Sequence, residues 1–235
     1  MAEGAPKAVR TAVVIGSSDG IGLALSKRLV ADGWSVTGVS RSPGRVDDPA
    51  YEHVVLDVTS ADYIAALSKV CDRLDAIDLC VYCAGIGEFF DADDLAPQGR
   101  VFAVNLIGAV ATIEVVVARM IPAGAGHFIG ISSLADQLIV PEACGYAASK
   151  AGLSSYLNGL ALALRPRNVY VTNVRFGFVD TKMARAPKMP MLISADKAAD
   201  LLMECVRKRP AQLSHPKPMA LATVVMRQLS KIKMH

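Results

Sequence analysis

The sequence predicts an α/β fold: a single domain built on a doubly wound, mainly parallel sheet of six to seven strands, with helices on both faces. Two observations carry this reading. Short β-branched runs alternate with longer stretches of helical periodicity from residue 11 to residue 208, and such alternation closes as a parallel sheet covered on both sides. No composition break, repeat or long Pro/Gly/Ser linker divides the first 209 residues, and 52% apolar residues suffice for one large core. The domain is read as the whole chain, 1–235, with its core at about 10–209 and a strand and helix tail at 210–235.

Taken in order, residues 11–16 form the first strand and lead into Gly16-Ser17-Ser18-Asp19-Gly20-Ile21-Gly22, which opens a helix at 20–32. Strands follow at 35–40, 53–58, 77–83, 127–132 and 169–176, each a short run of strand-forming residues. Helices are expected at 61–74, 97–120, 144–164 and 195–208. Residues 211–214, before Pro216, read as a seventh strand, and 217–230 as a last amphipathic helix. The richest apolar run, 106–118, contains Glu114 and falls short of the ~20 apolar residues a bilayer span needs, so it reads as a buried helix. Residues 1–10 contain Glu3 and Pro6 and no apolar run of secretory type, which points to a cytoplasmic chain.

Charge and side-chain chemistry exclude several functions. A net charge of +3 with interspersed signs gives no basic stripe for nucleic acid. Arg207-Lys208-Arg209, with Lys217, Arg227, Lys231 and Lys233 beyond, reads either as a solvated helix end and tail or as a surface for an anionic partner or membrane. Cys80 and Cys83 form the only close cysteine pair, and three residues apart on a strand they face opposite sides, as packing thiols do. His53, His127, His215 and His235 lie too far apart for metal-ligand spacing, so no metal is expected.

Three features point to a nucleotide and a proton. In the glycine turn, glycines permit positive φ and close backbone approach, while the helix N-terminus offers N–H groups to a pyrophosphate. The second strand ends in Ser40-Arg41 with no carboxylate. A guanidinium there suits the 2′-phosphate of NADP better than the bare ribose of NAD, although Asp19 in the turn stands against an anion. Tyr146 and Lys150 lie four apart on a predicted helix, where an ammonium is expected to pull the phenol down from its usual value. Ser133 precedes Tyr146 by thirteen residues.

The glycine turn, Ser133, Tyr146, Lys150 and the strand and helix alternation together resemble the short-chain dehydrogenase/reductase family, over about residues 10–209. The resemblance implies a Rossmann-like fold and an NADP(H)-dependent oxidoreductase that moves a hydride between nicotinamide and a carbonyl or alcohol. Its implied catalytic residues are Asn105, Ser133, Tyr146 and Lys150. Tyr146 would be the acid and base, and Asn105 would hold a helix distortion and a water. Ser132 is the less favoured serine. The cofactor would be held by Gly16, Ser17, Ser18, Gly20, Ile21 and Gly22 in the turn, and by Ser40 and Arg41 after the second strand. Asp57 and Val58 would take the adenine, and Cys83, Ala84 and Gly85 the ribose side. Tyr146, Lys150, Gly177, Val179 and Thr181 would meet the nicotinamide half. The chain departs from the family pattern at Ile15, at Tyr82-Cys83 and at Phe176, the last expected to narrow the nicotinamide pocket.

Substrate choice is expected from residues 182–193 and 134–144, which follow strand ends. Met183, Met189, Met191, Leu192 and Ile193 suit an apolar substrate or simply pack the loop, while Lys182, Arg185 and Lys188 either attract an anionic carrier or are solvated. A non-catalytic NADP-binding scaffold is the alternative function. Apolar residues on more than one face of helices 97–120 and 144–164, which family members use for pairing, imply a homodimer or homotetramer.

Overall fold

The computed structural model describes residues 9–184 and 188–233, with side chains through residue 227. Residues 1–8, Arg185 and the Lys231 and Lys233 side chains lie outside the described residues. Seven strands form one parallel sheet: β1 (Thr11–Ile15), β2 (Ser35–Ser40), β3 (Tyr51–Val55), β4 (Leu79–Tyr82), β5 (His127–Ser133), β6 (Tyr170–Phe176) and, after a two-residue pair, β9 (Gln212–His215). Their order is β3-β2-β1-β4-β5-β6-β9. The winding reverses between β1 and β4, which opens a crevice at the carboxyl ends of the strands.

Strand periodicity sorts the core into two layers. Val13 and Ile15 of β1 face one side, with Cys80, Tyr82 and Phe128, and pack on α2 (Tyr63–Cys71), α4 (Gly108–Ala123) and α5 (Cys144–Leu164). Ala12 and Val14 face the other, with Leu79, Val81 and Ile129, and pack on α1 (Gly20–Ala31) and α6 (Ala195–Lys208). Such near-continuous apolar strands belong to a sheet buried on both faces.

Several boundaries differ from the sequence reading. The third strand starts two residues earlier than expected and ends at Val55, because the Asp57 carboxylate accepts from Thr59 N (2.9 Å) and turns the chain. The long apolar helix is one run from Ala96 to Ala123, made of α3 (Ala96–Phe102), a π turn at Ala103–Ile107 and α4. That run is long and apolar enough to cross a bilayer, which corrects the expectation of a stretch too short to span. Since 56% of its most apolar window is buried within the molecule, it serves here as a core helix. The two-residue strands β7 (Val179–Asp180) and β8 (Ile193–Ser194) pair with each other and are too short for a period-two pattern to announce. The tail forms β9 and α7 (Lys217–Lys233), close to expectation.

His127, at the start of β5, is buried with Nδ1 unpartnered and Nε2 2.8 Å from Thr172 Oγ1. Burial, with the Arg209 charge adding to it, lowers its pKa from 6.5 to about 3. The unfolded chain therefore binds a proton that the native state refuses, so stability is lost as pH falls from 6.5 towards 3. Thermal melts between pH 4 and pH 7 are expected to show a shallower acid decline for His127→Leu than for the wild type.

Candidate active site

At the switch point, β1 ends in a turn that only glycine can make. Gly16 and Gly20 have φ of 85° and 52°, in the left-handed region. A Cβ on Gly16 would lie 2.6 Å from Ala84 N, and one on Gly22 would lie 2.2 Å from Gly16 O. The turn thus presses on the segment after β4 and aims the α1 N-terminus into a cleft of about 390 Å³. Gly16, Ser18, Gly20, Ile21, Gly22, Ser40, Arg41, Asp57, Val58, Cys83, Ala84, Gly85 and Thr181 all line this cleft. Ser17, Tyr146, Lys150, Gly177 and Val179 do not. Ser17 is fully buried beneath the turn, Gly177 faces Met219 and Pro216 at the start of α7, and Val179 pairs with Ile193. Phe176 is buried in the core layer of α1 and α6.

Charge in the cleft is more balanced than the sequence suggested. Asp19 caps α1 by accepting from Gly20 N at 2.8 Å, and it pairs with Lys182 Nζ at 2.5 Å and Arg45 Nη1 at 4.0 Å. The Lys182 hydrogen bond, then the Gly20 amide, holds the Asp19 carboxyl below its usual range. Its objection to an anion is therefore met by two cations: Arg45, which sequence reasoning missed, and Lys182, which it had assigned only to the substrate loop. Arg45 had a signal, a second arginine in the Ser/Pro/Gly loop after Arg41, whereas Lys182 needs the long-range fold. Arg41 Nε stands 3.9 Å from Asp57 Oδ2.

The proton-handling groups gather beside the cleft. The π turn carries Asn105, fully buried, whose Oδ1 accepts from Ile86 N (2.8 Å) and whose Nδ2 donates to Ile86 O (2.9 Å) and Ser149 Oγ (3.1 Å). Tyr82, one of the departures, donates to Val104 O in the same turn at 2.6 Å, and a Cβ on Gly108 would lie 2.6 Å from that hydroxyl. Tyr146 and Lys150 stand one turn apart on α5, with Nζ 5.9 Å from the phenol ring centre and donating to Ile131 O at 2.8 Å. Ser133 Oγ, at the end of β5, donates to Phe176 O at 3.4 Å and accepts from Ala135 N at 3.1 Å, and lies close enough to the phenol to pull its pKa down. Ser132 points the other way, to Lys150 O (3.0 Å) and Ser154 Oγ (2.6 Å), a structural role as expected. Met183 stands between the cleft and the phenol: a Cβ on Gly87 would meet Met183 Cγ at 3.5 Å and Tyr146 Cδ2 at 3.8 Å.

Electrostatics correct one expectation. Burial raises the Tyr146 phenol above its usual value, the Ser133 hydroxyl opposes this, and the Asp136 carboxylate adds to the rise. Lys150 does not pull it down here, because its ammonium is spent on the Ile131 carbonyl and is itself desolvated. Burial lowers Lys150 from 10.5 to about 8, against the Cys83 thiol. The Cys83 thiol is pushed up to about 12 by burial, so it is a packing group. Behind Ser133, Asp136 takes a bidentate pair from Arg175 at 2.7 and 2.6 Å. Chemically the cluster offers a proton at the phenol, a hydroxyl beside it and a buried positive charge.

A family model described as short chain dehydrogenase matches residues 10–189. An uncharacterized oxidoreductase of Myxococcus xanthus is 33% identical over 91% of this chain and 90% of its own length. A cyclic-di-GMP-binding biofilm dispersal mediator protein of Escherichia coli is 34% identical over 79% of this chain and 80% of its own. Among solved structures, a short chain dehydrogenase of Burkholderia cenocepacia in complex with NADP has the same fold, with a TM-score of 0.84, 22% identity, and 97% and 96% of the two chains covered.

A buried ammonium costs stability where it is charged. Lys150 loses its proton at about 8 in the fold against 10.5 unfolded, so that cost is present below pH 8 and is relieved as pH rises towards 10.5. Lys150→Met is expected to raise the melting temperature at pH 7 by a few degrees, with the gap closing in melts above pH 8.

Proposed function

The chain belongs to the short-chain dehydrogenase/reductase family of nicotinamide-dependent oxidoreductases, and from that premise we propose that it is an NADP(H)-dependent enzyme acting on a carbonyl or alcohol in an apolar substrate. The observation that carries this reading is the convergence of Ser133, Tyr146, Lys150 and Asn105 beside the glycine-turn cleft. The residues present fit a dinucleotide: the turn at Gly16 and Gly22 has no room for side chains, and an α1 N-terminus with Lys182 nearby suits a pyrophosphate. Arg41 and Arg45 in the cleft wall, with no carboxylate at the end of β2, favour a 2′-phosphate over a bare ribose. When bound, the nicotinamide supplies or accepts the hydride.

In the reductive direction, a partly buried phenol with a raised pKa is protonated at neutral pH, so Tyr146 can give its proton to a carbonyl oxygen held beside it. Ser133, whose hydroxyl lies near the phenol, can donate to the same oxygen and orient it. The Lys150 charge favours the phenolate as it forms. Asn105 acts one step back, since it fixes Ile86 and Ser149, and Ser149 Oγ donates to Tyr146 O at 2.8 Å. Exposed Phe89, Phe90, Ile139, Met183, Met191 and Leu192 lie on the segments that follow β4, β5 and β6, which supports an apolar substrate. Lys188 stays with the alternative of an anionic carrier. A cytoplasmic site of action belongs to this same proposal.

Tyr146→Phe is expected to lower kcat by about a hundredfold or more in NADPH oxidation with medium-chain aldehydes and ketones, with NADPH binding kept within about twofold of the wild type. The likeness to a relative named for binding a signalling nucleotide favours a second reading, a non-catalytic NADP-binding scaffold. It requires no turnover across that carbonyl panel in the wild type, and turnover sinks it.

Assembly as a homodimer or homotetramer is supported by exposed Phe102 and Ile107 on the α3 and α4 run and by exposed Tyr156 and Leu162 on α5. Sedimentation of Leu162→Glu is expected to reveal a smaller species than the wild type at equal concentration.

A further inference from the structure

Tyr51 and His53 lie on one face of β3, and neither lines the cleft. The Tyr51 hydroxyl is 3.1 Å from Ser17 Oγ under the glycine turn and 2.8 Å from His53 Nδ1. On the far side of the ring, His53 Nε2 is 2.9 Å from the Ser42 carbonyl and 3.2 Å from Ser40 Oγ. A carbonyl can only accept, so Nε2 donates its proton to Ser42 O. The path is continuous from the glycine turn, through two side chains of an edge strand, to the segment that presents Arg41 and Arg45.

Two glycines make room for this path. A Cβ on Gly38 would lie 2.0 Å from the Tyr51 hydroxyl, and one on Gly44 would lie 2.7 Å from His53 Cγ. Neither glycine has a positive φ, so backbone conformation does not require them and the space for Tyr51 and His53 does. Residues 41–47 have no regular structure. They are tied to the sheet at Ser42 by Ser40 Oγ, which donates to the same carbonyl at 2.8 Å, and by His53.

We propose that Tyr51 and His53 are positioning residues that set the spacing between the glycine turn and the Arg41–Arg45 segment, and thereby the preference for a dinucleotide phosphorylated on its adenosine ribose. The inference rests on the NADP reading above. Arginines on a braced segment face a phosphate without paying the ordering cost at the moment of binding. A ribose without that phosphate makes no demand on them.

Titration calorimetry of the full chain with NADP⁺ and with NAD⁺ tests this, using the wild type, Tyr51→Phe, His53→Leu, His53→Gln and the Arg41→Ala, Arg45→Ala double variant. Tyr51→Phe and His53→Leu are expected to weaken NADP⁺ about tenfold and NAD⁺ by less than about twofold, as loss of aligned charge-assisted bonds should. His53→Gln, whose amide can still donate to the Ser42 carbonyl, is expected to keep most of the NADP⁺ affinity. Equal weakening of both nucleotides marks the pair as a purely structural support and overturns the proposal, as does no change in either. A wild type that binds both nucleotides alike, untouched by loss of Arg41 and Arg45, takes down the NADP reading and the proposal together. A wild type that prefers NADP⁺ and loses that preference with the arginines, but not with Tyr51 or His53, takes down the proposal alone.

Discussion

The close approach of Gly16 to Ala84, where a side chain would meet backbone at 2.6 Å, is the contact on which the candidate site depends. It sets the turn after β1 against the segment after β4 at the one place where the sheet reverses its winding. From Ala84 the chain runs through Gly85 to Ile86, whose N–H and carbonyl are both taken by Asn105. Asn105 also donates to Ser149, and Ser149 donates to the Tyr146 carbonyl. The glycine turn and the phenol are thereby registered to each other through backbone and buried side chains, with no flexible surface group in the path. A larger residue at Gly16 would displace the phenol as well as the nucleotide cleft.

Burial sets the chemistry at the far end of that path, and it acts against charge. Lys150 and Tyr146 are both shifted towards their neutral forms, the reverse of what mutual attraction between ammonium and phenolate would give. The carbonyl of Ile131 compensates the lysine only in part, since a dipole replaces less solvation than an opposite charge does. A site of this kind is held in place by the surrounding sheet and helices. The bidentate Asp136 and Arg175 pair shows the contrasting case. There both charges are buried, each satisfies the other, and Ser154 adds a further bond to the carboxylate. The paired charges make a rigid floor beside Ser133, while the ammonium, bonded to the Ile131 carbonyl, has no counter-charge of its own among the described residues.

Much of this was legible in sequence because the signals are local. Residues Cys144–Leu164 and Ala195–Lys208 are helices over the predicted spans, since their periodicity is long and uninterrupted. The glycine turn could be read for the same reason, its spacing being a backbone requirement. Lys182, Tyr51 and His53 could not be placed in that way. Each acts on the cleft through partners 11 to 163 residues distant, counted from Ser42 to His53 and from Asp19 to Lys182, and nothing in their own neighbourhoods reports such contacts. The third strand was misplaced at its start for a related reason. Tyr51 belongs to an edge strand of mixed exposure, where pairing with β2, beginning at Val36 opposite Tyr51, decides the boundary.

The departures from the family pattern acquire a physical account once neighbours are known. A π turn leaves carbonyls displaced from the regular helical ladder, and Val104 O is met by the hydroxyl of Tyr82, one of the residues at which the chain departs from the family pattern. Gly108 leaves the space that this hydroxyl needs. Tyr82 therefore supports the helix distortion directly, while Asn105, within it, ties it to Ile86 and to Ser149 of α5. Phe176 follows a different logic: it pairs with Ser133 on one side and His215 on the other, and its side chain fills the core layer below α6. The next residue, Gly177, then lies against Met219 and Pro216. The C-terminal tail is accordingly a wall of the same strand ends that carry Ser133, so the tail and the site cannot vary independently.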